Sequence, residues 1–298
     1  MTASSLLAAS KIQRRARSRL VSGTMSLLIA GAFLLAAVPL FLVVGYTLSR
    51  GVTHFSWIFF SHSLAGVPPS QPGGGIAAAT IGTIEQVGIA TLVSVPLGLA
   101  AAIYLAEYGV GTRFAGAVSF LVDVMTGVPS IVAGLFVYAF FVISLHRGFS
   151  GLAAALALSI LMLPVVIRSS QDMIAAVPTS LREAGYALGL RRWRVIAFIV
   201  LPTARSGLVT GVMLAVARVC GETAPLLVTA FDNAYINTNP LHGQQSALPL
   251  VIFNQAQQAY QPAVDRAWAA AATLILAIVT LYITARLLAR RRLGGKSG

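Results

Sequence analysis

The sequence predicts an all-α membrane protein with six transmembrane helices, and three observations lead there. Charged residues make up 10% of the 298-residue chain against 57% hydrophobic ones, well under the roughly 25% charge of soluble domains. Apolar runs recur that reach or approach the about 18 to 20 residues needed to cross a hydrocarbon core. The basic residues collect in alternate connections, as Lys and Arg do in the cytoplasmic loops of membrane proteins. Disorder is excluded by the same composition, since disordered chains are poor in apolar residues.

The first span is expected at residues 25–48. It exceeds the roughly 7 to 15 residues of a signal-peptide core, so it reads as a retained helix. The second is expected at 76–106, and the third at 114–144 with Asp123 and Pro129 near its beginning. The fourth, 152–167, is short and ends at Pro164 and Arg168. The fifth lies at 208–230 and the sixth at 268–288. The chain thus divides into a basic arm (1–24), a permease-like membrane domain (25–288) and a basic tail (289–298). Within the domain, 66–75 is a turn-rich connection and 232–266 a polar loop rich in Asn and Gln. That loop reads equally as a docking surface for an outside partner or as an inert solvated cap.

Net charge is +13, from 21 Lys and Arg against eight Asp and Glu, and the isoelectric point is near 11.0. Nucleic-acid binding is the usual first reading of such a balance, but placement points elsewhere. Lys11, Arg14, Arg15, Arg17 and Arg19 precede the first span, and Arg113 follows the second. Arg182, Arg191, Arg192, Arg194 and Arg205 follow the fourth; Arg286, Arg290, Arg291, Arg292 and Lys296 follow the sixth. The other connections hold only Arg50, Arg147 and Arg266. Both termini are therefore expected in the cytoplasm, with the lipid bilayer as the surroundings and no nucleic acid as partner. A single cysteine, Cys220, excludes an internal disulfide and reads as a small packing residue. His54, His62, His146 and His242 show no metal-ligand spacing, so no metal is expected. The Gly295-Lys296-Ser297 end resembles the close of a phosphate-binding loop, but Arg290 stands where the loop needs glycine.

Residues 168–202 are too polar and interrupted to span, and they carry the strongest motif. Ser180 and Glu183 read as an N-cap and a third helical residue, with Leu181, Ala184, Ala187 and Leu188 on one face and Gly189 ending the helix. Glu183, Ala184 and Gly185, then Gly189, then Ile199, Leu201 and Pro202 reproduce the spacing of a cytoplasmic signature. That signature resembles the one in ABC-type importer permeases, with Gly185 where the family usually has Ala. The alternative is an ordinary interfacial helix. The runs at 95–108, 127–136, 163–178 and 217–230 also resemble the PstA-type permeases of phosphate-specific ABC transporters. The resemblance covers residues 80–230, about half of the chain.

Arg218 and Glu222 stand four residues apart in an apolar stretch, where a charge costs about 2.5 to 3.5 kcal/mol. They read either as an ion pair that neutralises its own cost or as the face of a water-filled anion path. A guanidinium fork matches phosphate geometry, and a neighbouring carboxylate keeps the attraction weak enough for release. Arg168 reads as a path residue or as a positive-inside anchor. Glu85 and Asp123 are expected to pair with a helix neighbour or a second subunit.

The resemblance implies a type I ABC importer permease in the bacterial inner membrane. Arg218, Glu222 and Arg168 would lie on the substrate path, and the 183–202 signature would seat a coupling helix in an ATPase. It implies a dimer of ATPase subunits holding ATP and Mg²⁺, a second homologous permease and an extracytoplasmic phosphate-binding protein. The chain itself would hold no cofactor and catalyse nothing. Permeases for sulfate or molybdate, a secondary anion transporter and a membrane-embedded enzyme are the other classes. The 183–202 signature separates the secondary transporter, and the scarcity of convergent catalytic groups separates the enzyme.

Overall fold

The computed structural model describes residues 3–291, with side chains for residues 21–287. The basic side chains from Lys11 to Arg19 and the Gly295-Lys296-Ser297 end lie outside them. The chain divides into two units, Met1–Ser49 and Arg50–Gly298. The first is the greater part of one helix, α1 (Ala3–Gly51), whose described side chains are nearly all exposed.

The second unit opens with a 3₁₀ turn (Val52–His54) and α2 (Trp57–Ser61), capped by the Ser56 hydroxyl accepting from the Phe59 N–H at 3.1 Å. Next come α3 (Ala77–Ile103), extended by a π turn (Tyr104–Tyr108), and α4 (Arg113–Gly127). Then follow α5 (Ser130–Val137), prolonged by a π segment (Tyr138–Ser144), α6 (Gly151–Ala175) and α7 (Thr179–Ala187). One continuous helix joins α8 (Arg192–Val195), a π turn (Ile196–Val200) and α9 (Leu201–Cys220). The chain ends with α10 (Ala224–Thr229), α11 (Leu248–Ala256) and α12 (Gln261–Arg291). Among the described residues five helices are long and apolar enough to cross a membrane, or six if α4 and α5 make one bent span.

Three expected spans change shape. The helix expected at 114–144 breaks at Val128-Pro129, where α4 and α5 meet at 103°. The ring of Pro129 pushes Val128 into extended backbone, φ −72° and ψ 126°. The span expected at 152–167 continues to Ala175, with Pro164 buried inside it, so Arg168 lies within α6 rather than at its end. A proline is tolerated in a membrane helix when neighbours pack around it. The span expected at 208–230 begins at Arg192 and stops at Cys220, followed by a non-helical break before α10. Ser180 is not the N-cap of α7; that position belongs to Pro178.

The helix α6 is the hub of the second unit. Ala153, Ala154, Ala155, Ala157 and Met162 expose nothing. Lipid tails are as apolar as leucine, so helices associate where small residues let backbones close up. A Cβ on Gly98 of α3 would fall 2.6 Å from Val166 Cγ1 of α6. The connection at 232–266 is solvated only in part: residues 232–244 are mostly exposed, while Gln245–Val251 is buried and the segment includes α11. Polar groups anchor it. Gln86, fully buried, donates to Gln245 Oε1 at 3.0 Å and to the Ser246 carbonyl at 3.2 Å. Gln245 donates to Glu85, and Thr83 Oγ1 accepts from the Leu248 N–H at 2.8 Å. Glu85 thus finds its partner within the chain.

Gly98→Leu should overpack the contact between α3 and α6 and cost about 1 to 3 kcal/mol. A thermal melt of the detergent-solubilised protein checks it. Gly88→Ala serves as control, because nothing stands within 4 Å of the added carbon.

Candidate functional site

Arginines packed into protein are costly, and three of them are held by several hydrogen bonds each. Arg168 of α6 donates to Asp123 Oδ1 of α4 from Nε at 3.0 Å, to Gln171 Oε1 at 2.9 Å and to the Ser119 carbonyl at 3.0 Å. Arg182 of α7 donates to Glu107 Oε1 from Nε at 3.0 Å and from a terminal nitrogen at 2.8 Å. It also caps the Ile174 and Val177 carbonyls at the end of α6. Arg266 of α12, 6% exposed, donates to the carbonyls of Pro69, Gln71 and Gly73 and to Gln255. It pins the turn-rich 66–75 connection. These three guanidinium groups tie elements together.

Arg218 differs. It sits in the last turn of α9, not deep within a helix, and its side chain is 61% exposed. Gly221 ends the helix, with its N–H donating to the Arg218 carbonyl at 3.2 Å. Glu222 falls in the break, and its Oε1 stands 3.7 Å from Arg218 Nε. The two therefore meet as the spacing suggested, although only one of them is helical. At 3.7 Å the pair is electrostatic rather than a tight hydrogen bond. No hydrogen bond holds the Arg218 guanidinium among the described residues, so its donor fork stays available. The carbonyl end of α9 and Glu222 supply opposing negative charge. An unwound segment at membrane depth is tolerated only where it lies in protein or lines water. Arg168 and Arg218 share no contact, since Arg168 is committed to Asp123.

At the Arg182 end, α7 presents Leu181, Tyr186 and Leu188 outward, with Glu183 and Ala184 exposed beside them. The helix buries one residue, Gly185. A Cβ there would meet Ile199 Cδ1 at 2.8 Å and Val195 Cγ2 at 3.0 Å. The Glu183-Ala184-Gly185 block and Ile199 of the later block thus touch. Between them Gly189 takes φ +77°, its N–H donating to the Tyr186 carbonyl while the Leu190 N–H donates to Gly185. Those two bonds make a Schellman close, which glycine adopts without a Cβ clash. Leu201 and Pro202 begin α9 directly above.

Sequence reasoning missed Glu107. It is 5% exposed in the π turn after α3, paired with Arg182 while its carbonyl accepts from Arg192. Arg192 also lies over the Tyr108 ring, 4.9 Å from its centre. An acidic residue in the apolar YLAEY run was the available signal. No cluster of metal-binding side chains occurs among the described residues.

Known proteins are similar to this chain. A family model described as binding-protein-dependent transport system inner membrane component matches residues 94–294. The phosphate transport system permease protein PstA 1 of Mycobacterium tuberculosis is 42% identical over 93% of this chain and 92% of its own. The phosphate transport system permease protein PstA of Haemophilus influenzae is 42% identical over 80% and 83%. Among solved structures, the inward-facing MetNI methionine ABC transporter aligns with a TM-score of 0.54 at 18% identity, over 72% of this chain and 94% of that one. That match shows the fold. The chain belongs to the family of binding-protein-dependent transport system inner membrane components.

Proposed function

We propose that this chain is the membrane-spanning subunit of an ATP-driven importer of inorganic phosphate. The observation that carries the reading is the open guanidinium of Arg218, in a chain 42% identical to phosphate transport permeases over nearly its whole length. Phosphate offers a tetrahedral set of oxygens that a planar donor fork recognises. Glu222 and the carbonyl end of α9 weaken that attraction, which conduction requires, because a site that binds too tightly does not release. The basic residues collected in alternate connections support a cytoplasmic position for both termini.

The chain catalyses no reaction itself. ATP and Mg²⁺ belong on a partner ATPase dimer, a second permease completes the path, and a binding protein delivers phosphate from outside. The outward apolar face of α7, with Glu183 on it, is the surface for the ATPase. Motion imposed there passes into the bundle by two routes. One is the Gly185 contact with Ile199, which leads directly into α9 and Arg218. The other is the ion pair from Arg182 to Glu107, which leads into α3. A displaced α7 therefore pulls on two spanning helices at once.

Arg218→Gln should lower ATP-dependent uptake of labelled phosphate by about a hundredfold or more while the complex still assembles. Normal uptake would make the ion pair structural. Glu183→Lys should reduce ATPase co-purification by about tenfold or more, and unchanged recovery would overturn α7 as the docking surface. Glu107→Gln leaves Arg182 without its carboxylate and should cost about 3 to 5 kcal/mol. The melt should drop, and phosphate moved per ATP should drop with it.

A further inference from the structure

One face of α9 runs unbroken from the break to its start. Ser206, Thr210, Leu214 and Arg218 succeed one another at four-residue steps, and all are exposed. At 1.5 Å per residue the stripe covers roughly 18 Å, about half the membrane. Beneath Arg218 it opens into a cavity of about 480 Å³, walled by α6, α9 and α12. Ser206, Thr210 and Leu214 line it from α9, Ser169 from α6 and Arg286 from α12. No carboxylate lines it. Gly211 forms its floor, and a Cβ there would meet Ser169 Oγ at 2.7 Å, so the glycine makes room for that hydroxyl.

Two of the three lining hydroxyls are oriented alike. Thr210 Oγ1 donates to the Ser206 carbonyl at 2.8 Å and Ser169 Oγ to the Val166 carbonyl at 3.3 Å. Thr203, one turn below Ser206, donates to the Ile199 carbonyl at 2.6 Å. With the Thr210 and Ser169 protons committed to their own helices, the lone pairs of those two hydroxyls are left as acceptors, and the Ser206 hydroxyl, with no hydrogen bond of its own among the described residues, can accept beside them. A surface of neutral acceptors suits an oxyanion that carries a proton of its own. Phosphate keeps at least one P–OH at neutral pH and can donate to each hydroxyl in turn. Cations at either end, Arg218 and Arg286, compensate its charge.

We infer that this stripe is the inner half of the phosphate path, with Ser206, Thr210 and Ser169 accepting the P–OH proton bond as the ion passes from Arg218 towards Arg286. The inference rests on the importer reading and adds specific residues to it. The shared chemistry is a tetrahedral phosphate group, and the ion named is free inorganic phosphate rather than a lipid headgroup.

The test uses the complete transporter in vesicles, fed by its binding protein, with labelled inorganic phosphate uptake and ATP hydrolysis measured together. Ser206→Ala combined with Thr210→Val should slow uptake about tenfold while the complex is recovered intact. ATP hydrolysis should persist, so less phosphate moves per ATP. Thr210→Ser should recover the rate lost in Thr210→Val, and Ser169→Ala should repeat the loss from α6. A wild-type rate in the double variant, with Arg218→Gln inactive, would overturn the stripe and leave the importer standing. A defect seen only in vesicles containing phosphatidylglycerol would assign the site to a lipid headgroup and overturn it as well. Wild-type vesicles that take up no phosphate would overturn both readings.

Discussion

A guanidinium packed into protein has two stable conditions: its donors are bound by fixed acceptors, or it stands in water. The second unit is organised around that choice. Arg168, Arg182 and Arg266 are each bound by carbonyls and a side-chain carboxylate or amide. Each joins separate elements: α4 to α6, α7 to the ends of α3 and α6, and the 66–75 connection to α12. Helix association in lipid lacks the hydrophobic drive available in water, so these polar ties and the close alanine and glycine contacts carry the assembly. Against that background Arg218 is the exception. It has one loose partner, and the rest of this chain leaves most of its side chain uncovered.

The same constraint explains where the helices break. A helix satisfies its own backbone, and interrupting it in lipid leaves several groups unsatisfied. The breaks at Val128-Pro129 and at Gly221 through Thr223 therefore lie where other protein can meet them. Pro225 of α10 closes on Gly134 of α5, where a Cβ would come within 2.6 Å of its Cα. The Gln245–Val251 segment, buried against α3, brings its own polar ties in Gln86, Glu85 and Thr83. Breaks of this kind expose a helix end without exposing it to lipid, and that is how Arg218 reaches open space.

Much of this could be read from the residues. Hydropathy located the apolar runs, and the 183–202 spacing singled out α7 and the start of α9. The meeting of Arg218 with Glu222 followed from their separation alone. Helix ends were less legible. Composition treats Pro164 and Pro129 alike, yet one sits inside a continuous helix and the other lies where two helices meet at 103°. What separates them is the packing around each, which no local pattern encodes. The burial of Gln245–Val251 was hidden for a related reason. Its Asn- and Gln-rich surroundings look solvated, and only the partners on α3, some 160 residues earlier in the chain, make a buried glutamine affordable. Glu107 escaped notice because its partner Arg182 lies in a different motif.

The departure at Gly185 shows how a spaced signature can encode a contact rather than a series of independent residues. Glycine in a helix costs roughly 1 kcal/mol relative to alanine, which by itself argues against it. In the folded chain Gly185 is the one buried residue of α7, lying against Val195 and Ile199. The atom nearest to an added Cβ is the Ile199 terminal methyl, which can rotate away, so alanine remains compatible at a small repacking cost. The interval between the two blocks is then the length of chain needed to close α7 at Gly189, turn through Leu190 and bring Ile199 back across it. A residue inserted between 189 and 199 would leave both blocks recognisable and separate them in space. The spacing is therefore the physical content of the motif. It sets the distance over which a push on α7 becomes a movement of α9 and of the arginine at its far end.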